Sequence, residues 1–90
     1  MVSRRMTKKY LLTVLMEEGG EVVQAAAKCQ RFGWSRHEPG YGVNHEVLAK
    51  EIGDLLGVAD ALGLDRTLVR RNRASKMERV YKAAKERNKR

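Results

Sequence analysis

The sequence predicts an all-α fold: a helical bundle of about three helices per chain, completed by oligomerisation. Three observations carry that expectation. Apolar residues recur at spacings of three, four and seven along most of the chain, the period of a helix buried on one side. Two breaks interrupt the pattern, a Gly- and Pro-containing stretch from Phe32 to Val43 and the glycine at Gly63. The 90 residues suffice for a single domain, 1–90, but a chain of that length encloses only a thin core by itself.

The first helix is expected from about Thr7 to Arg31, with Leu11, Leu15, Val22, Ala26 and Cys29 as its apolar stripe. "FGWSRHEPGYGV", Phe32 to Val43, follows as a loop that contains the chain's only proline. Loops of that length in small domains are often functional or mobile. The second helix is expected from Asn44, a suitable N-cap, to Leu62. Its stripe is Leu48, Ile52, Leu55, Ala59 and Leu62, and Gly63 ends it. Asp65 then reads as the N-cap of a third helix, "RTLVRRNRASKMERVYKAAKERN", with weaker apolar positions at Leu68, Val69, Met77, Val80 and Ala84.

Charge is unevenly spread. The formal net charge is +8, and from Arg66 to Arg90 eleven basic residues face only Glu78 and Glu86. The basic C-terminal helix and tail, from about residue 65, fit a polyanion such as nucleic acid or nucleotide phosphates, or else a solvated face. The single cysteine, Cys29, excludes an internal disulfide, fits a reducing compartment and reads as a small core residue. "MVSRRMTKKY" is basic, but the apolar "LLTVLM" after it stops at Glu17, too short for a signal peptide. No apolar run reaches the roughly 18 residues of a membrane span. These readings together predict a cytoplasmic protein that does not engage a membrane.

Two motifs of the form acid-x-Gly-acid carry the chemistry: "EGGE", Glu18 to Glu21, and "EIGD", Glu51 to Asp54. Residues three apart lie about 60° apart around a helix, so each pair points to one side. Glu18 falls between Leu15 and Val22, and Glu51 between Leu48 and Leu55, so both face inward. Glu21 and Asp54 lie at the edge of their stripes, displaced in the same sense. Four carboxylates converging on one interhelical space repel one another and would take up protons unless a cation joined them. Glu18, Glu21, Glu51 and Asp54 are therefore the expected metal ligands. An all-oxygen donor set favours magnesium, with manganese as the other candidate. Gly20 and Gly53 each precede the second acid of a pair. Two adjacent glycines inside a helix cost roughly 1 kcal/mol each, and the expected return is room for a neighbouring helix or a ligand.

These residues resemble the MazG-like, all-α nucleoside triphosphate pyrophosphohydrolases, in the short form found in phage and bacteria. That family carries Glu-Glu-x-x-Glu on one helix and Glu-x-x-Asp on the next, here "EEGGE" with Glu17, Glu18 and Glu21, and "EIGD" with Glu51 and Asp54. The flanks "LLTVLMEEGGEVVQAAAK" and "HEVLAKEIGDLLGVADAL" look like family segments, as does "RFGW" after the first helix. The likeness is good from about Leu11 to Leu64 and looser over the basic third helix. It implies hydrolysis of a nucleoside triphosphate between its α and β phosphates, giving the monophosphate and pyrophosphate. It also implies magnesium held by the four carboxylates, and a homodimer or homotetramer.

That reaction needs a positioned water, and a carboxylate not fully used as a ligand can orient or deprotonate it. Glu17 and Glu21 are the candidates, with a solvated acid the competing reading for Glu17. Lys28, seven residues after Glu21 and on nearly the same face, can meet substrate phosphates. So can Lys76 and Arg79, with Asn72 one turn before Lys76. Trp34 offers a ring for a base to stack on, or packs the loop onto the bundle. His37 reads as loop surface and His45 as the start of the second helix. Two other classes compete: a small basic helical nucleic-acid-binding protein, and a relative that binds nucleotide without hydrolysing it. Beyond nonspecific contact, nucleic acid is not the expected partner, because inward carboxylates have no use in such a core.

Overall fold

A computed structural model describes residues 7–88 of the chain. The expectation about the basic N-terminus falls in part on residues 1–6, and that about the basic tail in part on 89 and 90; these lie outside the described residues. Among the described residues the architecture is all-α with three helices: α1 Lys8–Phe32, α2 Asn44–Leu62 and α3 Arg66–Asn88. Between α1 and α2 the expected loop contains two short strands, β1 His37–Glu38 and β2 Gly42–Val43. They pair antiparallel, with His37 opposite Val43 and Glu38 opposite Gly42.

Local chemistry sets the helix ends. The Thr7 hydroxyl accepts the Tyr10 N–H at 3.1 Å and caps α1. Gly63 terminates α2 in the left-handed region, φ 73°, with its N–H donating to the Asp60 carbonyl. The Asp65 carboxylate accepts the Leu68 N–H at 3.0 Å, the expected cap of α3.

α1 and α2 form an antiparallel hairpin, and their seam holds the buried residues among those described. On α1 the buried residues are Leu11 and Ala25, with Val14, Leu15, Glu18, Val22 and Cys29 half-buried. Ala26, expected in the stripe, is exposed. Ala25 and Ala26 lie on opposite flanks of the line through Val22 and Cys29, and α2 covers the Ala25 flank. Ile52 is likewise 40% exposed, because the adjacent Glu51, 8% exposed, takes the central place in the seam.

Asn44 corrects a third expectation. It is the first residue of α2 rather than its N-cap, and the cap position, Val43, makes no side-chain capping bond. The Asn44 side chain is buried and turns toward the end of α1. Its Nδ2 donates to the Gly33 carbonyl at 2.9 Å and to the Lys28 carbonyl at 3.5 Å. Carbonyls at a helix C-terminus lack partners within the helix, so one asparagine ties the end of α1 to the start of α2. Its own N–H donates to the Arg36 carbonyl at 2.9 Å, which anchors the strand pair to the same corner.

α3 buries nothing. Its expected apolar positions, Leu68, Val69, Met77, Val80 and Ala84, are all exposed. The Cα radius of gyration is 16.3 Å, where a compact domain of this length has about 12 Å. Among the described residues no helix is long and apolar enough to cross a membrane.

Candidate metal centre

The seam brings the two acid pairs together. Glu18, Glu51 and Asp54 each offer a carboxylate oxygen, and these three oxygens lie within 4.8 Å of one another. Glu18 and Glu51 occupy the seam, while Asp54 stands on the rim with its side chain 48% exposed. Glu21 is exposed on the same rim and shares a side-chain hydrogen bond with Glu51. Two inward and two rim carboxylates are thus arranged as helix geometry predicts from the spacing.

The electrostatics show the strain of this grouping. Burial raises the pKa of Glu18 above its ordinary 4.5, and the negative charges of Glu21, Asp54 and Glu17 raise it further. Glu51 is also raised, first by its hydrogen bond with Glu21, then by burial and by the charges of Glu21 and Asp54. Lys50 alone opposes the trend at both groups. Its Nζ lies 3.9 Å from both Glu51 Oε1 and Asp54 Oδ2, and its side chain is well exposed. Pairs of that length in solvent contribute little. Sequence reasoning passed over Lys50, although its place four residues before Asp54 marks a helical ion pair.

One atom defines what the site lacks. Glu18 Oε2 is buried and, among the described residues, has no hydrogen-bond partner. A buried carboxylate oxygen without a donor is costly. A cation among the three clustered oxygens would meet that need and relieve the mutual repulsion. The all-oxygen set fits magnesium or manganese. A Cβ at Gly20 or Gly53 would meet nothing within 4 Å, so none of the described residues uses the room these glycines leave.

The other predicted residues lie apart from the carboxylates. Glu17 is exposed and acts on Glu18 through its charge. Lys28 is ten residues beyond Glu18, about 15 Å along α1, and its Nζ sits 5.0 Å from the centre of the Tyr41 ring. Trp34 stacks on His45, with ring centroids 5.4 Å apart and planes 15° from parallel. That contact joins the loop after α1 to the start of α2, while Trp34 remains exposed. On α3, Asn72 Nδ2 donates to the Leu68 carbonyl at 3.0 Å and Arg79 Nε to the Ser75 carbonyl at 3.4 Å, while Lys76 is exposed. Comparison of the chain with protein families, with curated proteins and with solved structures finds no match in any of the three.

Proposed function

We propose that the protein is a magnesium-dependent nucleoside triphosphate pyrophosphohydrolase, as its resemblance to the MazG-like enzymes implies. The observation that carries this reading is the buried Glu18 Oε2, without a hydrogen-bond partner among the described residues, in a group of three carboxylates from two helices, Glu18, Glu51 and Asp54. Glu18, Glu51 and Asp54, with Glu21 at the rim, would hold the ion. Bound there, magnesium supplies charge neutralisation for the phosphate oxygens and for the pyrophosphate leaving group.

The chain's own residues have the remaining tasks. Water attacks the α-phosphorus and the bond to the α–β bridging oxygen breaks, so one proton leaves the water as pyrophosphate departs. Glu21, exposed at the rim, and Glu17 are the candidates to take that proton. Lys28, Lys76 and Arg79 are the candidates for holding phosphate, Asn72 for a polar contact, and Trp34 for stacking on the base. The test is a panel of standard and modified nucleoside triphosphates incubated with magnesium and scored for pyrophosphate. Release that stops with a chelator and with Glu18→Gln is expected. A panel without pyrophosphate release would reject hydrolysis.

A second reading rests on α3. It is exposed throughout and carries nine basic residues against Glu78 and Glu86, which favours nonspecific contact with a nucleic-acid backbone. Such binding would weaken steeply with salt.

A further inference from the structure

Lys50 makes both of the ion pairs found among the described residues. Its Nζ lies 3.9 Å from Glu51 Oε1 and from Asp54 Oδ2. The chain has 19 lysines and arginines, yet among those described the one that pairs stands at the mouth of the carboxylate site. The cause is its register. Lys50 precedes Asp54 by one turn and lies roughly 40° from it around α2, so the two share a rim. Glu51, which follows Lys50 directly, is turned by about 100° into the seam.

Both pairs are long, and the Lys50 side chain is 73% exposed. A lysine four residues before an acid is also the weaker of the two helical orders. The ammonium is therefore held loosely on a flexible stem, and a divalent ion among the same oxygens would repel it. Once displaced, it keeps its charge at the rim. Two of the cations considered above for phosphate have other engagements. Lys28 lies about 15 Å along α1 from Glu18 and rests on the Tyr41 ring. Arg79 Nε donates to the Ser75 carbonyl of its own helix.

Charge balance gives the displaced ammonium a task. When ionised, Glu18, Glu21, Glu51 and Asp54 outweigh one divalent ion by two charges. A triphosphate brings further negative charge to the same mouth. A cation standing there reduces the repulsion, and lysine supplies it as a movable point charge that binds phosphate.

We propose that Lys50 is an exchange cation: it pairs with Glu51 and Asp54 until the metal ion arrives, then turns to hold the phosphates of the substrate. The proposal rests on the pyrophosphohydrolase reading and adds to it a substrate-binding residue with two opposed effects. Lys50 competes with the ion and attracts the triphosphate. Removing its charge should therefore shift the two affinities in opposite directions, which loss of a purely structural contact would not do.

The experiment is calorimetric titration of the full chain as wild type, Lys50→Met and Lys50→Arg. Each is titrated with magnesium alone and then, at saturating magnesium, with inorganic triphosphate. That probe carries the phosphates without a base, so base preference does not enter. Lys50→Met changes an exposed position and should leave the fold intact. It should bind magnesium about twofold to fivefold more tightly and triphosphate about tenfold to a hundredfold more weakly. Lys50→Arg keeps the charge and should recover most of the triphosphate affinity. Unchanged triphosphate binding in Lys50→Met would overturn the proposal, make Lys50 a solvated lysine and leave the pyrophosphohydrolase reading standing. Weaker binding of both magnesium and triphosphate would also overturn it, because that is the mark of a structural role. A wild type that takes up no magnesium would overturn the metal centre itself, and this proposal with it.

Discussion

The α1–α2 hairpin and α3 use helices of similar length, 25, 19 and 23 residues, to opposite ends. The hairpin places carboxylates in an apolar seam, and α3 has no buried residue at all. Both have well-formed ends, from the Thr7 cap on α1 to the Asp65 cap on α3. Capping and propensity therefore suffice to shape a helix in either region, but only the hairpin's seam both buries acids and crowds them together. The raised carboxylates, Glu18 and Glu51, belong to the hairpin, and the nine cations of α3 stand in solvent. Chemistry that depends on desolvated charge belongs to the first region, and contact with a mobile polyanion suits the second.

The largest expected effect tests the hairpin's side of this contrast. Glu18→Gln or Asp54→Asn should lower pyrophosphate release roughly a thousandfold or more, because each removes charge from the cluster meant to hold the ion. Circular dichroism should show the helices retained. Near wild-type turnover in either variant would sink the metal assignment.

Next comes α3. If Lys76 and Arg79 hold substrate phosphates, replacing both with alanine should raise KM or lower kcat strongly for every triphosphate. Each contact is worth about 1.5–3 kcal/mol. Unchanged kinetics, with loss of a salt-sensitive complex with duplex DNA, would assign α3 to nucleic acid and keep the two regions functionally separate.

Asn44→Ala probes what holds the hairpin closed. It strips a donor from the Gly33 carbonyl and should cost about 1–3 kcal/mol. The melting temperature should fall by about 4–8 °C for each kcal/mol. An unchanged melting temperature would mean that the strand pair and the Trp34–His45 stack hold the corner without it.

The smallest expected effect is on pH. Glu18 and Glu51 have folded-state pKa values above their ordinary 4.5, so between that value and the raised ones the folded chain binds more protons than the unfolded one. Stability of the metal-free protein should therefore fall as pH rises through this window. Magnesium, which replaces those protons, should stabilise more as pH rises. Thermal melts from about pH 4 to about pH 8, with and without the ion, measure both trends. A metal-free melting curve that rises across the window would contradict the grouping of the acids.

Helix by helix, much of this was legible from residue order. The three helices, the Gly63 stop, the Asp65 cap and the inward-and-rim placement of the two acid pairs all follow from spacings of three and four, a local property of the backbone. The partners across space were not legible. Whether Ala25 or Ala26 enters the seam, and whether Glu51 or Ile52 takes its centre, depends on which flank the other helix covers. Asn44 could serve as a cap by its residue type, and only the position of the α1 terminus turned it into a tie between helices. The sharing of one space by the Glu18 and Glu51 motifs was expected from their matched spacing, but that one Glu18 oxygen is left without a donor was decided by tertiary structure. The physical reason is range: hydrogen bonds along a helix join residues four apart, while a packing seam joins residues more than thirty apart and chooses among faces that the sequence alone leaves nearly equal.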